Sequence, residues 1–106
     1  MPSKKDPEMI EWTNPDQMPD GPCLVLFYGE NCPPCNALKR KLTDEPTSVP
    51  VYTINAMTQP TLAARYRVRS VPVLLGMGAH DTMGRWTALP NGGVSSVVAT
   101  TLGGGV

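Results

Sequence analysis

The segment Cys23-Leu-Val-Leu-Phe-Tyr28 is apolar at every position, where a strand with one wet face would alternate. An unbroken run of this kind is the mark of a central strand covered on both faces. It leads directly into Gly29-Glu-Asn-Cys32-Pro-Pro-Cys35 and then into a segment in which Cys35, Leu38 and Leu42 recur at helical spacing. Lys39, Arg40 and Lys41 fall in the last turns of that expected helix, where they suit its dipole, and Pro46 lies beyond its end. A buried strand, a cysteine pair and an amphipathic helix thus follow one another without a gap.

The remaining elements are short and punctuated by twelve prolines and ten glycines. A first strand is expected around Glu8 to Trp12, followed by a loop from Thr13 to Pro22 that Pro15, Pro19 and Pro22 keep from becoming a helix. Val49 to Ala56 reads as a second central strand, Pro60 to Arg67 as a short helix, and Val71 to Gly76 as a third strand. A glycine-rich connection containing His80 leads to a fourth strand around Arg85 to Ala88. The last helix carries Val94, Val97, Val98, Thr101 and Leu102 on one stripe, with Asn91 expected to cap its start and Gly103 to end it. Strand and helix alternate through the middle, which predicts an α/β fold: a mixed sheet with helices on both faces. The 106 residues suit one domain, with 1–22 as an N-terminal strand and proline-rich loop and 23–102 as the core.

Nine basic residues balance nine acidic ones, so charge gives no case for nucleic acid or an anionic membrane. The longest apolar run is far too short to span a bilayer. The N-terminal stretch has positive charge without an apolar segment behind it, unlike a secretory signal. The expected location is therefore the cytoplasm, where structural disulfides are rare, and three cysteines form no stapling framework.

Three chemistries are open to Cys32 and Cys35: a metal clip, a structural disulfide, or a redox centre. Zinc usually takes four ligands, and only Cys23 and His80 remain as soft donors. A bond between near neighbours closes a tiny loop and constrains the unfolded chain little. Context favours redox chemistry. Cys32 is expected where the helix cap belongs, exposed at the end of a strand, while Cys35 lies one turn further in on the buried stripe. Such a pair supplies an attacking and a resolving sulfur. A helix N-terminus stabilises a thiolate, but Pro33 and Pro34 each lack the N–H that could have reached the sulfur of Cys32. The thiolate is then only moderately stabilised, which makes the dithiol a reductant.

From Cys23 to Leu102 the chain resembles the thioredoxin/glutaredoxin superfamily. The residues that carry the resemblance are "FYGENCPPCNALKRKL", "VPVYTINA", "RYRVRSVPVLL" and the C-terminal amphipathic helix. It implies a thioredoxin fold with a four- to five-stranded mixed sheet, and a dithiol–disulfide oxidoreductase with Cys32 and Cys35 as catalytic residues. It also implies a cis Pro72 beside the thiols, with Val71 offering its amide and carbonyl to an extended substrate. Pro33, Pro34, Tyr28 and Asn31 complete the implied substrate-binding set, and Glu30 borders it. Leu26 and Thr53 stand where thioredoxins carry a buried aspartate and often a lysine, so both charges are absent together. Tyr28, "CPPCNALKRKL" and "WTALP" are similar to the small redoxins that reduce ribonucleotide reductase. Asn91-Gly92-Gly93 is similar to the glycine pair of glutathione-dependent glutaredoxins, though no acidic residue follows it.

The resemblance implies a protein with no bound cofactor, working as a monomer on protein disulfides. Its electrons would come from a thioredoxin-reductase-like flavoenzyme or from glutathione. The rival from another class is a thioredoxin-fold binding module whose thiols are dispensable; a secreted oxidase and an iron–sulfur bridged dimer are weaker alternatives. Several residues have simpler readings. Cys23 is expected as a small buried apolar side chain, His80 as a solvated loop residue, Lys39 to Lys41 as a solvated face, and Trp12 and Trp86 as packing.

Overall fold

The computed structural model describes residues 9–45, 47–78 and 81–103; Glu8, Pro46 and His80 lie outside them. The elements in chain order are β1 (Met9–Glu11), β2 (Cys23–Tyr28), α1 (Pro33–Asp44), β3 (Val51–Asn55), α2 (Pro60–Arg65), β4 (Val73–Gly78), β5 (Asp81–Trp86) and α3 (Gly93–Thr101). The five strands form one sheet in the order β1-β3-β2-β4-β5. β1 and β2 both run parallel to β3, while β4 is antiparallel to β2 and β5 to β4. The uniformly apolar β2 occupies the centre, with its first five residues fully buried.

The period of two along β2 divides its side chains between two cores. Leu24 and Leu26 face α1 and α3, packing with Leu38, Leu42, Val94 and Val97. Cys23, Val25 and Phe27 face the other way, toward α2 and Trp12, with Ile54, Leu62 and Leu75 around them. Trp12 is buried and sets its ring edge-on to Tyr52 and Tyr66. Trp86 lies half-buried on the α1–α3 face, where Gly76 and Gly84 leave room for its ring. A Cβ at Gly84 would strike the indole, and one at Gly76 would strike Thr101 and crowd the indole as well.

Several expected boundaries differ. β3 and α2 are shorter than expected, and β4 runs Val73–Gly78 rather than over 71–76, because the cis Val71–Pro72 bend precedes it. β5 begins at Asp81 rather than near Arg85, because the polar segment pairs back on β4, with Gly78 opposite Asp81 and Met77 opposite Thr82. Backbone hydrogen bonds make its first half a strand although Asp81, Thr82 and Met83 are exposed, so the apolar pattern is silent there. α3 is entered through Gly92 at φ 96° without a side-chain cap, so Asn91 does not hold that position. Gly103, at φ 75°, stands just past the end of α3 as expected.

Candidate active site

The carboxyl end of β2 delivers the chain into a tight loop. Asn31 takes a left-handed backbone at φ 53°, turning the chain so that Cys32 falls at the N-cap of α1. Pro33 and Pro34 occupy the first two helical positions, where a missing N–H leaves no intrahelical bond unmade. Cys35 comes third and is fully buried, whereas Cys32 is only half-buried and Asn31, Pro33 and Pro34 are exposed. Cys32 and Cys35 are joined as a disulfide with their Cα atoms 5.2 Å apart. Cys32 is therefore partly open to solvent, and its partner sits in the core beneath it.

Cys35 itself supplies what the prolines cannot. Its amide donates to Cys32 Sγ at 3.2 Å, and no other N–H exists within the first three residues of α1. The sulfur of Cys32 thus has one helix-terminal donor where a helix without prolines would offer more.

The Val71–Pro72 peptide is cis and immediately precedes β4. Its closeness to the thiol loop shows at Gly29, where a Cβ would lie 3.2 Å from Val71 Cγ2 and 3.9 Å from the Met57 side chain. A side chain at Gly29 would press on Val71, so glycine lets the loop and Val71 lie close together. Met57 is 70% exposed, a large apolar surface that sequence reasoning did not single out. Nothing local flags it, since it stands in a turn outside any periodic apolar pattern.

Tyr28 is held from two sides. Its hydroxyl donates to Glu11 Oε2 at 2.9 Å, and Lys39 Nζ lies 3.7 Å from its ring centroid. Burial, and then the hydrogen bond to Glu11, push its phenol above the usual value. Thr53, itself buried, donates through Oγ1 to the other Glu11 oxygen at 2.7 Å. Leu26 and Thr53 are direct cross-strand neighbours. The carboxylate that bonds Thr53 is Glu11, on β1, two strands from Leu26 in the sheet. These bonds join residues 17 and 42 positions apart, so no local pattern predicts them.

The glycine pair lies elsewhere. A Cβ on Gly93 would meet the carboxylate of Glu45 at 3.4 Å, and Glu45 caps the far end of α1. Glu45 lies about 20 Å along the helix from Cys32, at 1.5 Å per residue, so Gly93 sits by the end of α1 away from the thiols. Cys23 is a free, buried thiol at the opposite end of β2, and burial pushes it up to about 11. Among the described residues no group of three or more His, Cys, Asp or Glu converges on a metal-sized space.

A profile of the thioredoxin family matches residues 10–88, a span that contains both thiols, Glu11, Tyr28 and the Val71–Pro72 bend. The chain belongs to the thioredoxin family. Solved thioredoxins share its fold. A mutant thioredoxin from Halobacterium salinarum NRC-1, with one asparagine replaced by glutamine, is 20% identical with a TM-score of 0.79, covering 94% of this chain and 96% of its own. The short form of thioredoxin f from spinach chloroplast is 18% identical with a TM-score of 0.74, covering 94% and 98%. The reduced Schistosoma mansoni thioredoxin pre-protein is 16% identical with a TM-score of 0.61, covering 76% and 85%. No curated protein matches the chain. A thioredoxin-family domain with a bonded Cys-x-x-Cys pair is a thiol–disulfide oxidoreductase, and the family acts on protein disulfides. The chemistry belongs to the two sulfurs, and the family usually needs no bound cofactor. No helix among the described residues is long and apolar enough to cross a membrane.

Proposed function

We propose that the protein works as a reductant of protein disulfides in the cytosol, with Cys32 attacking and Cys35 resolving. The observation that carries this reading is the unequal exposure of two bonded cysteines. In the reduced protein the Cys32 thiolate attacks one sulfur of a substrate disulfide, forming a mixed disulfide and releasing the other substrate sulfur as a thiolate. Cys35 gives its proton to the released substrate thiolate and attacks Cys32 Sγ. The second substrate sulfur leaves as a thiolate and takes a proton from solvent, so the substrate departs as a dithiol. The two protein thiols, having lost two electrons, are joined as the Cys32–Cys35 bond. Val71 supplies backbone hydrogen bonds to the extended substrate beside Pro72. Asn31, Pro33, Pro34 and the edge of Tyr28 border the attacked bond.

Residues 1–106 act as one unit and as a monomer in this scheme, and ribonucleotide reductase is a suitable substrate by the small-redoxin resemblance. For the donor we favour a flavoenzyme of the thioredoxin-reductase kind over glutathione. The glycine pair that suggested a glutathione site lies at the end of α1 away from Cys32, against the carboxylate of Glu45.

Trapping tests the scheme. A Cys35→Ser variant stalls at the mixed disulfide and should capture substrate covalently, releasing it on treatment with a small thiol. A Cys32→Ser variant should capture nothing and reduce nothing. Full disulfide reduction by Cys32→Ser would exclude this mechanism, and a partner complex that keeps its function in that variant would return the chain to the binding-module class. Recharging by a flavoenzyme with NADPH but not by reduced glutathione would support the donor; the opposite result would reverse it.

A further inference from the structure

Beside Val71, two hollows run into one another between the β3–α2 connection and the α2–β4 turn. The nearer, about 210 Å³, is lined by Met57, Ala63 and Val68, reaches Val71, and carries Arg69 and Ser70. The other, about 520 Å³, shares Ala63, Val68 and Arg69 and adds Arg67. Both arginines are exposed, and among the described residues no acidic side chain lines either hollow. Glu30, in the thiol loop, acts on Tyr28 and lines neither. The groove beginning at the cis bend is therefore apolar along its floor and positive along its length.

Arg67 is the second observation. It holds a left-handed backbone at φ 58° just past the end of α2, a place that glycine fills without strain. A residue with a Cβ is strained there. The turn is held from β5, where Arg85 donates from Nη1 to the Tyr66 carbonyl at 2.8 Å and from Nη2 to the Arg67 carbonyl at 3.0 Å. A guanidinium thus clamps the turn that presents a second guanidinium to solvent.

From this we infer that the groove selects disulfides by charge, favouring substrate segments with Asp or Glu within two or three residues of the attacked cysteine. The inference deepens the reductant reading above and rests on it. An extended segment lying along Val71 advances about 3.3 Å per residue. Arg69 lines the hollow that reaches Val71 and Arg67 lines the one beyond it, so a substrate side chain two or three residues from the cysteine comes within reach of these guanidinium groups. Opposite charge here speeds encounter and fixes register, while a lysine in the same place is repelled.

Single-turnover reduction by the pre-reduced protein tests this. Three disulfide peptides are compared that differ only in carrying Asp, Asn or Lys two residues from the cysteine, with hydroxyethyl disulfide as an uncharged reference. The Asp peptide should react about threefold to tenfold faster than the Lys peptide at low salt, the size exposed charge contacts supply, and the gap should close at high ionic strength. Arg69→Glu should reverse the order. Arg67→Gly should shrink the preference without lowering the urea midpoint, because glycine relieves the strained backbone. Equal rates for the three peptides, with hydroxyethyl disulfide still reduced, would overturn the inference, as would a preference that survives Arg69→Glu. If the wild type reduces none of the four, the reductant reading fails and takes this inference with it.

Discussion

Cys23 and Cys35 are both buried in the wild-type fold, yet only Cys35 has a sulfur within bonding distance. Burial holds the Cys23 thiol protonated, pushing it up to about 11 from an ordinary 9. The unfolded chain loses that proton at a lower pH than the folded protein does. Stability from this group is therefore intact below pH 9 and falls as pH rises toward about 11. The loss across that window should be roughly 2 to 3 kcal/mol. Urea unfolding of oxidised wild type and Cys23→Ala, below pH 9 and near pH 11, checks it. The gap between the two proteins should narrow or invert at high pH; a constant gap would show that the thiol ionises freely in the fold. Glu11 invites a second substitution, since one carboxylate accepts from both Tyr28 and Thr53. Glu11→Gln keeps one acceptor and loses the charge, so stability should drop by about 1 kcal/mol. The Tyr28 phenol should titrate closer to its usual value, read from the difference between variant and wild-type near-UV absorbance titrations.

Helix α1 combines two demands that pull against each other: proline starts a helix well, and a thiolate at a helix start wants amides. With Pro33 and Pro34 in the first two positions, the Cys35 amide is the sole first-turn donor to Cys32 Sγ. Pro34→Ala restores an N–H at a position from which N-cap side chains commonly receive a bond. The Cys32 thiolate should then be better stabilised and the reduction potential should rise by something like 30 mV, the equivalent of one modest hydrogen bond. Equilibration against a thioredoxin-type redox buffer measures it, and an unchanged or lower potential would refute this role for the proline. Elements such as α1 and β2 were legible because their burial is written locally, in Cys35, Leu38 and Leu42 and in six consecutive apolar residues. β5 was legible only in part. Asp81, Thr82 and Met83 are exposed, so hydrogen bonding to β4 rather than side-chain burial makes them a strand. The start of α3 was misjudged because Gly92 enters it by backbone conformation alone, which no capping side chain announces.

At the scale of the whole molecule, the sequence revealed the thiol pair and the Val71–Pro72 bend through motifs, and the fold brings both to one place across Gly29. It did not reveal Glu11, Met57 or the arginine-lined groove, because those depend on strand order and on where α2 ends. The direction of electron flow is also a property of the entire fold. Oxidised and reduced chains each fold and unfold, and the four states close a thermodynamic cycle. The difference in unfolding free energy between oxidised and reduced protein therefore equals the difference in disulfide stability between the folded and unfolded chain. A folded state that gives Cys32 a single helix-terminal amide stabilises the thiolate weakly, and it buries Cys35 where a second thiolate would be poorly solvated. The burial of Cys35 disfavours the reduced form, and the single amide at Cys32 offsets that only slightly. The oxidised protein should thus be the more stable one, with each 30 mV of potential below that of the unfolded dithiol adding about 1.4 kcal/mol. Closure of so short a loop contributes little to this difference, since the chain-entropy gain grows with loop length. Urea unfolding with and without a phosphine reductant, on Cys23→Ala to remove the third thiol, measures it directly. A higher midpoint for the oxidised form is expected, whereas a higher midpoint for the reduced form would mark the protein as an oxidant and reverse the proposed flow of electrons.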